Sequence, residues 1–422
     1  MEKKEICTVG IDLSDHFSSV SYMETGEVRP VSMSVSADDG KYVIPMNLYR
    51  RKLTNEWLIG DEAAFAAGHE KDGKDFFADS VFAIYRKNQI KYLGEQEYDG
   101  AGLFREYLFA LYQKAKELLG FSEDVHLVFT AETMDFGLVS FLGETFLKLG
   151  FPKEQLHFMN HTEAFVSYVL CEKKELRAND VTLFSLDEHQ FVCKNMTRRR
   201  MKNKSIIFVE EQDLSGLVQY AALKTEAQRQ EADEKFSSYL REDYRTHIVS
   251  SVYFTGIGFY ENWYPKSIAE ICRKRRAFKG FNLYAEGAAA GRTKRPEQID
   301  LYCEGRTLVS VSILRLVKGT EEEFLLSPYG VNWTEAGAEA EFILNETEKL
   351  ELVLENPFQK EKEILEIDLK EIKPRTDKTM CIDVQILFES PQVFDVIVED
   401  RGFGDFIKSS GRRITKRISL EG

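Results

Sequence analysis

No two cysteines of this chain stand in a C-x-x-C pair; the six are scattered at Cys7, Cys171, Cys193, Cys272, Cys303 and Cys381. That spacing argues against a zinc ribbon or a dithiol redox motif and predicts reduced thiols, mostly buried. No apolar run comes near the ~18 residues that cross a bilayer, and Met1-Glu2-Lys3-Lys4-Glu5 leads straight into a short strand, with no cleavable apolar segment. The expected location is therefore cytoplasmic. Positive charge is in deficit. The net charge of −14 repels phosphate backbones and sets nucleic acid aside as a general partner. Two basic runs, Arg198-Arg199-Arg200-Met201-Lys202 and Arg273-Lys274-Arg275-Arg276, read as solvated loop or helix faces.

What is present is enough for two or three domains. The 422 residues are 43% hydrophobic and 30% charged, with 30 phenylalanines and 18 tyrosines, the balance of a globular chain with aromatic cores. Two segments read alike. Ile6 to Leu13 is an apolar strand, Ser14-Asp15-His16 a polar turn, and residues 17–23 a second strand. Residues 181–186, the turn Asp187-Glu188-His189, and residues 190–196 repeat the pattern. Paired hairpins of this kind predict a duplicated fold.

Between and beyond them lie helical stripes. Residues 102–119 carry Leu103, Tyr107, Leu108, Leu111, Tyr112, Ala115 and Leu118 at helical spacing. Residues 136–149, 162–171 and 265–273 also read as helices, 215–241 as a helix-rich charged stretch, and 125–130 and 249–254 as strands. Alternation of this kind predicts an α/β architecture. After Gly291 the character changes. Residues 292–297 form a polar linker candidate, and beyond them short alternating strands are separated by turn residues, the pattern of a β-sandwich. The expected domains are residues 1–291 and 298–422, with the boundary near 293.

Four segments then line up, in order, with the heat-shock protein 70 family. Gly10-Ile11-Asp12-Leu13 resembles its first phosphate loop. Leu58-Ile59-Gly60-Asp61-Glu62-Ala63 with Val81-Phe82-Ala83-Ile84-Tyr85-Arg86 is similar to its V-G-x-x-A and L-F-A-I-K-R motifs. Asn160-His161-Thr162-Glu163-Ala164 sits where the family has N-E-P-T-A. Phe254-Thr255-Gly256-Ile257-Gly258 and Tyr284-Ala285-Glu286-Gly287-Ala288-Ala289-Ala290 resemble the adenosine loop and the G-A-A helix. The strands at 381–388 and 394–402 resemble the end of the family's peptide-binding β-domain. The resemblance implies a two-lobed, actin-like nucleotide-binding fold followed by a β-sandwich. It places the candidate nucleotide site at Asp12, Ser14, Asp15, His16, Tyr85, Ser185, Asp187, Glu188, His189, Gln190, Gly256 and Gly258.

The departures from the family decide the expected function. Where its phosphate loops carry glycine and hydroxyl residues, which let backbone N–H groups approach phosphate, this chain has Ser14-Asp15-His16 and Asp187-Glu188-His189-Gln190. The catalytic lysine falls on Tyr85, and a phenol does not neutralise a γ-phosphate. Between the second loop and the adenosine loop only residues 194–251 are available, too few for the family's helical subdomain. The end at Gly422 predicts no lid, and 292–297 replaces the acidic linker. Capping explains His161 and Glu163 at a helix start, and Gly256 and Gly258 serve a tight turn.

The leading expectation is a non-catalytic pseudo-ATPase acting as a binding or scaffold protein, with a protein partner held through 298–422. No catalytic residue, no metal and no cofactor is expected. A divergent ATP-dependent chaperone using ATP or ADP with magnesium is the alternative, and an actin-like assembly protein the third. His16 and His189, with Asp15, Asp187 and Glu188, would form a metal site only if the two loops face each other; the plainer reading is polar loop residues without a ligand.

Overall fold

The computed structural model describes all residues except 1–6, 25–26, 32–41, 121–124, 202–203, 292–298, 345–346, 360, 374, 376–377 and 421–422. The linker candidate at 292–297 lies outside the described residues. The chain divides into two compact units, one of residues 1–134 and 141–299, the other of residues 300–422 together with 135–140.

The first unit is mixed α/β, built on two sheets with the same strand order. In the first, Leu156–Asn160, Val125–Ala131 and Cys7–Leu13 run parallel, and Phe17–Glu24 and Glu27–Val31 continue antiparallel. In the second, Arg276–Lys279, Val249–Thr255 and Asp180–Leu186 run parallel, and Phe191–Met201 and Lys204–Asp213 continue antiparallel. The central parallel strands are buried along almost their whole length, as strands covered on both faces must be. Their side chains are correspondingly β-branched and aromatic, as in Val-Tyr-Phe-Thr at the end of Val249–Thr255.

Helices follow from caps and apolar faces. Gly100–Leu119 starts where the Asp99 side chain accepts from the Gly102 N–H and ends at Gly120 in the left-handed region. It buries Leu103, Phe104, Tyr107, Leu108, Leu111 and Ala115. Leu118, at the end of the expected stripe, is instead exposed, because the last turn runs past the core. His161–Cys171 opens with a reciprocal capping box between Asn160 and Glu163. Leu283–Gly291 is fully buried but for the half-buried Glu286 and lies against the Cys7–Leu13 strand. That approach depends on Gly10: a Cβ there would stand 2.1 Å from the Ala285 carbonyl oxygen and 2.6 Å from the Ala289 nitrogen.

Three expectations are corrected here. The run Arg198–Met201 is not on a loop or helix but ends the long strand Phe191–Met201, where Arg199 lies over the Phe208 ring. Cross-strand pairing with Lys204–Asp213 overrides the charge pattern. The stretch 215–241 is helical only from Glu226, in the helix Glu226–Thr246, where the Thr225–Gln228 capping box provides the start. Of the six free thiols only Cys193 and Cys303 are buried, and Cys272 is exposed.

The second unit is β-rich. Thr320–Ser327, Ser310–Val317, Lys349–Glu355 and Glu363–Asp368 form one antiparallel sheet; Ala338–Ile343, Cys381–Phe388, Val393–Gly402 and Arg413–Ser419 form another. The two share one hydrophobic core that includes Val309, Val311, Ile313, Leu352, Val384, Ile386 and Val396. Alternation along Ser310–Val317 puts Val311 and Ile313 inside, as the period of two requires.

Candidate functional site

Because each sheet turns from its central parallel strand into an antiparallel one, each carries a short polar turn at the same place in its order. The two turns, Ser14-Asp15-His16 and Asp187-Glu188-His189-Gln190, line a single pocket of about 430 Å³. Phe82 and Arg86 of the helix Val81–Arg86, Glu132 and Thr133 after the Val125–Ala131 strand, His161, Ile257, Lys194 and Tyr284 complete the wall.

The turns meet through His16. Its Nδ1 lies 2.7 Å from Ser80 Oγ, and its Nε2 lies 3.0 Å from Glu188 Oε2. The His189 ring is 6.4 Å from the His16 ring, centroid to centroid. Donor atoms of His16, Glu188 and His189 all fall within 4.8 Å of one another, so these three residues have the reach to hold a metal ion. All three are at least partly open to solvent.

Deeper in the pocket, His161 Nε2 stands 2.7 Å from Asp12 Oδ1, and its ring stacks flat on Tyr284 at 3.8 Å. Capping therefore accounts for Glu163 but not for His161, which bridges Asp12 to Tyr284. Burial, against a hydrogen bond with Ser185, pushes the Tyr284 phenol well above its ordinary pKa, so it acts here as a neutral group. Asp187 keeps an exposed face yet is packed by protein on its remaining sides. Burial raises its carboxyl, while His161 and the Ile257 N–H pull the other way. Its backbone N–H donates to the Gln190 carbonyl at 2.9 Å, and Ser185 Oγ lies 3.3 Å from its Oδ2. Gly256, at φ +88, lets the following turn pass the second loop; a Cβ there would meet the Leu186 carbonyl oxygen at 2.5 Å. Gly256 and Gly258 thus pack against Leu186, and Ile257 between them faces the pocket.

Tyr85 does not line the pocket. Its ring packs against Phe104 at 5.1 Å and Phe141 at 4.7 Å, and the cation that this helix presents to the pocket is Arg86. The Arg86 guanidinium lies over Phe82 and donates to the Thr133 carbonyl at 2.6 Å. The other cation is Lys194, only 5% exposed, which donates to Thr162 Oγ1 at 2.8 Å and pairs with Glu211. Lys194, Arg86, Glu132, His161 and Tyr284 were not among the candidate site residues. The period of two held a signal for Lys194, since it shares the core-facing phase of Val192 and Met196. Nothing local in the sequence marks Glu132. The lining carries the carboxylates of Asp15, Glu132, Asp187 and Glu188 against the cations Arg86 and Lys194.

Fold and site together define a class: a mixed α/β unit with a repeated sheet order around a pocket rich in carboxylates and histidines, followed by a β-rich unit. The chain belongs to the family of unknown function DUF5716, whose C-terminal part matches residues 29–302. Residues 306–420 match a domain of unknown function, DUF8552. The two matches meet where the compact units part. No curated protein matches the chain.

Proposed function

We propose that the first unit is an actin-like, heat-shock-70-like nucleotide-binding-type fold that has lost phosphate chemistry, and that the protein is a cytoplasmic pseudo-ATPase serving as a binding or scaffold component. The observation that carries this reading is the repeated sheet order, which brings two hairpin turns to one pocket with carboxylates where such a fold would need glycine and hydroxyl groups. A carboxylate ~4 Å from a phosphate charge costs roughly 1 kcal/mol in bulk water and about 4 kcal/mol at an effective dielectric of ~20. Asp15, Asp187 and Glu188 set that cost against any nucleotide triphosphate. Lys194 offers little in return, because Glu211 and Thr162 already engage its ammonium. No ammonium stands at Tyr85, so ATP with magnesium does not fit these residues.

The binding role then falls to residues 298–422, read as a β-sandwich resembling a peptide-binding β-domain. We read this domain as suited to a persistent folded protein partner rather than to transient extended peptides. No described helix is long and apolar enough to cross a membrane.

Thermal-shift titration of the intact protein with ATP and ADP, each with and without Mg²⁺, is expected to leave the melting temperature unchanged. A steady-state assay is expected to show phosphate release at background. Turnover with Mg²⁺ that Asp187→Ala abolishes would replace this reading with the divergent chaperone. Titration with unrelated hydrophobic peptides separates the partner classes, since tight binding of many such peptides would sink the specific-partner role.

A further inference from the structure

We propose that His16, Glu188 and His189 bind one divalent transition-metal cation of the zinc class, which ties the first hairpin turn to the second. The ligand chemistry selects the ion. Imidazole with one carboxylate suits Zn²⁺, Co²⁺ or Ni²⁺, whereas Mg²⁺ and Ca²⁺ take oxygen ligands. The site is therefore distinct in kind from a magnesium-nucleotide centre and does not depend on the nucleotide reading.

The geometry is close to what binding requires. Two ligands each about 2.1 Å from a tetrahedral zinc stand about 3.4 Å from one another. Here the His16 Nε2 to Glu188 Oε2 separation is 3.0 Å, and no pair of donor atoms in the trio exceeds 4.8 Å. Side-chain rotation on two partly exposed turns closes that difference without moving a strand. His16 is also prepared for the role. Ser80 Oγ, 2.7 Å from Nδ1, fixes the ring, and in the metal-bound form it would accept the Nδ1 proton so that Nε2 serves as the ligand. Metal-bound histidines are commonly held by a partner of this kind on the other nitrogen.

The surroundings favour a cation. Asp15, Glu132 and Asp187 line the same pocket, and their field concentrates positive ions there. Two imidazoles and one carboxylate neutralise half the charge of a divalent ion, and water would complete the tetrahedron.

Cobalt supplies the test, because tetrahedral Co²⁺ absorbs in the visible and hexaaqua Co²⁺ barely does. Titration of the intact chain at pH 7.5 is expected to develop an intense visible band that saturates at one equivalent and is bleached by stoichiometric Zn²⁺ but not by millimolar Mg²⁺. His16→Ala and His189→Ala should each weaken binding more than tenfold, Glu188→Gln similarly, and Ser80→Ala by about tenfold. These turns are partly exposed, so far-UV circular dichroism should be unchanged and any loss of the band would report the ligands. Absence of the band in the wild-type protein would overturn the proposal. So would a band that survives in the His16→Ala/His189→Ala double variant, as it would if the His126–His157 pair, 2.9 Å apart, held the ion.

Discussion

Asp400 has no accessible surface, and its carboxylate is met by donors. The Gly402 N–H reaches Oδ1 at 2.8 Å, the Ser410 N–H reaches Oδ2 at 2.9 Å, and Arg375 Nη2 lies 3.3 Å from Oδ1. Burial on its own would raise the carboxyl, but the bonds from Ser410, Gly402 and Arg375 outweigh it and hold the pKa below the ordinary value. A pKa depressed in the folded state stabilises the fold above the unfolded value, ~3.9, and that contribution is lost as pH falls through the folded pKa. Asp400→Ala is therefore expected to lower unfolding stability by about 3 kcal/mol at pH 7, with the gap to wild type narrowing by pH 3. Urea titrations at the two pH values check this; an equal gap at both would refute it. Nothing in the sequence around Val393–Gly402 pointed to that network, because beside the nearby Gly402 N–H its donors come from the distant Arg375 and from the Ser410 loop, whose path only the fold determines. His161 was hidden for the same reason. Its partner Asp12 lies on the Cys7–Leu13 strand, far off in sequence, and the local capping signal pointed to Glu163, which the reciprocal box with Asn160 accounts for.

At the scale of elements, legibility tracked how local the determining signal was. The hairpins at Cys7–Leu13 and Asp180–Leu186 were readable because strand, polar turn and strand occupy adjacent positions. Asp99, Gly120 and the apolar stripe likewise mark the Gly100–Leu119 helix from within itself. The strand Lys204–Asp213 went unread although Ile206-Ile207-Phe208-Val209 is a β-branched and aromatic run; its pairing with Phe191–Met201 makes it a strand. The helix Leu283–Gly291 shows the other limit. Its glycine and alanines stand out in the sequence, but their use, a backbone-distance approach to the central strand, is a tertiary fact. That approach gives a test. In Gly10→Ala the new methyl has only backbone atoms of the facing helix before it, so helix and strand must separate rather than a side chain rotate. Overpacking of this kind costs roughly 1–3 kcal/mol, and the absence of any flexible neighbour places the expected loss near 3 kcal/mol. Thermal or urea unfolding measures it, and a loss below about 0.5 kcal/mol would show that the helix yields freely.

For the whole molecule the governing quantity is charge. A net charge of −14 opposes any polyanion, and a nucleic-acid binder with that balance would need a concentrated basic face to overcome it. The two basic runs do not supply one. Arg198 donates to Ser205, Arg199 lies over Phe208, Arg273 pairs with Glu270, and Arg275 sits 3.6 Å from the centroid of the Tyr244 ring. These guanidinium groups are already engaged within the first unit, and each run would release only a few counterions, where proteins that bind duplex DNA tightly neutralise roughly 6–10 phosphates. The intact chain is accordingly expected to leave the fluorescence polarisation of a labelled duplex or single-stranded oligonucleotide unchanged at ~0.15 M salt, a concentration at which charge attraction reaches only about 8 Å. Lowering the salt should not help, because with the Debye length near 30 Å at ~0.01 M the strand meets the net negative charge and not the basic runs alone. Saturable binding that strengthens at low salt and weakens in Arg198→Ala/Arg199→Ala would show instead that the edge of the Phe191–Met201 strand works as a local anion site despite the field around it.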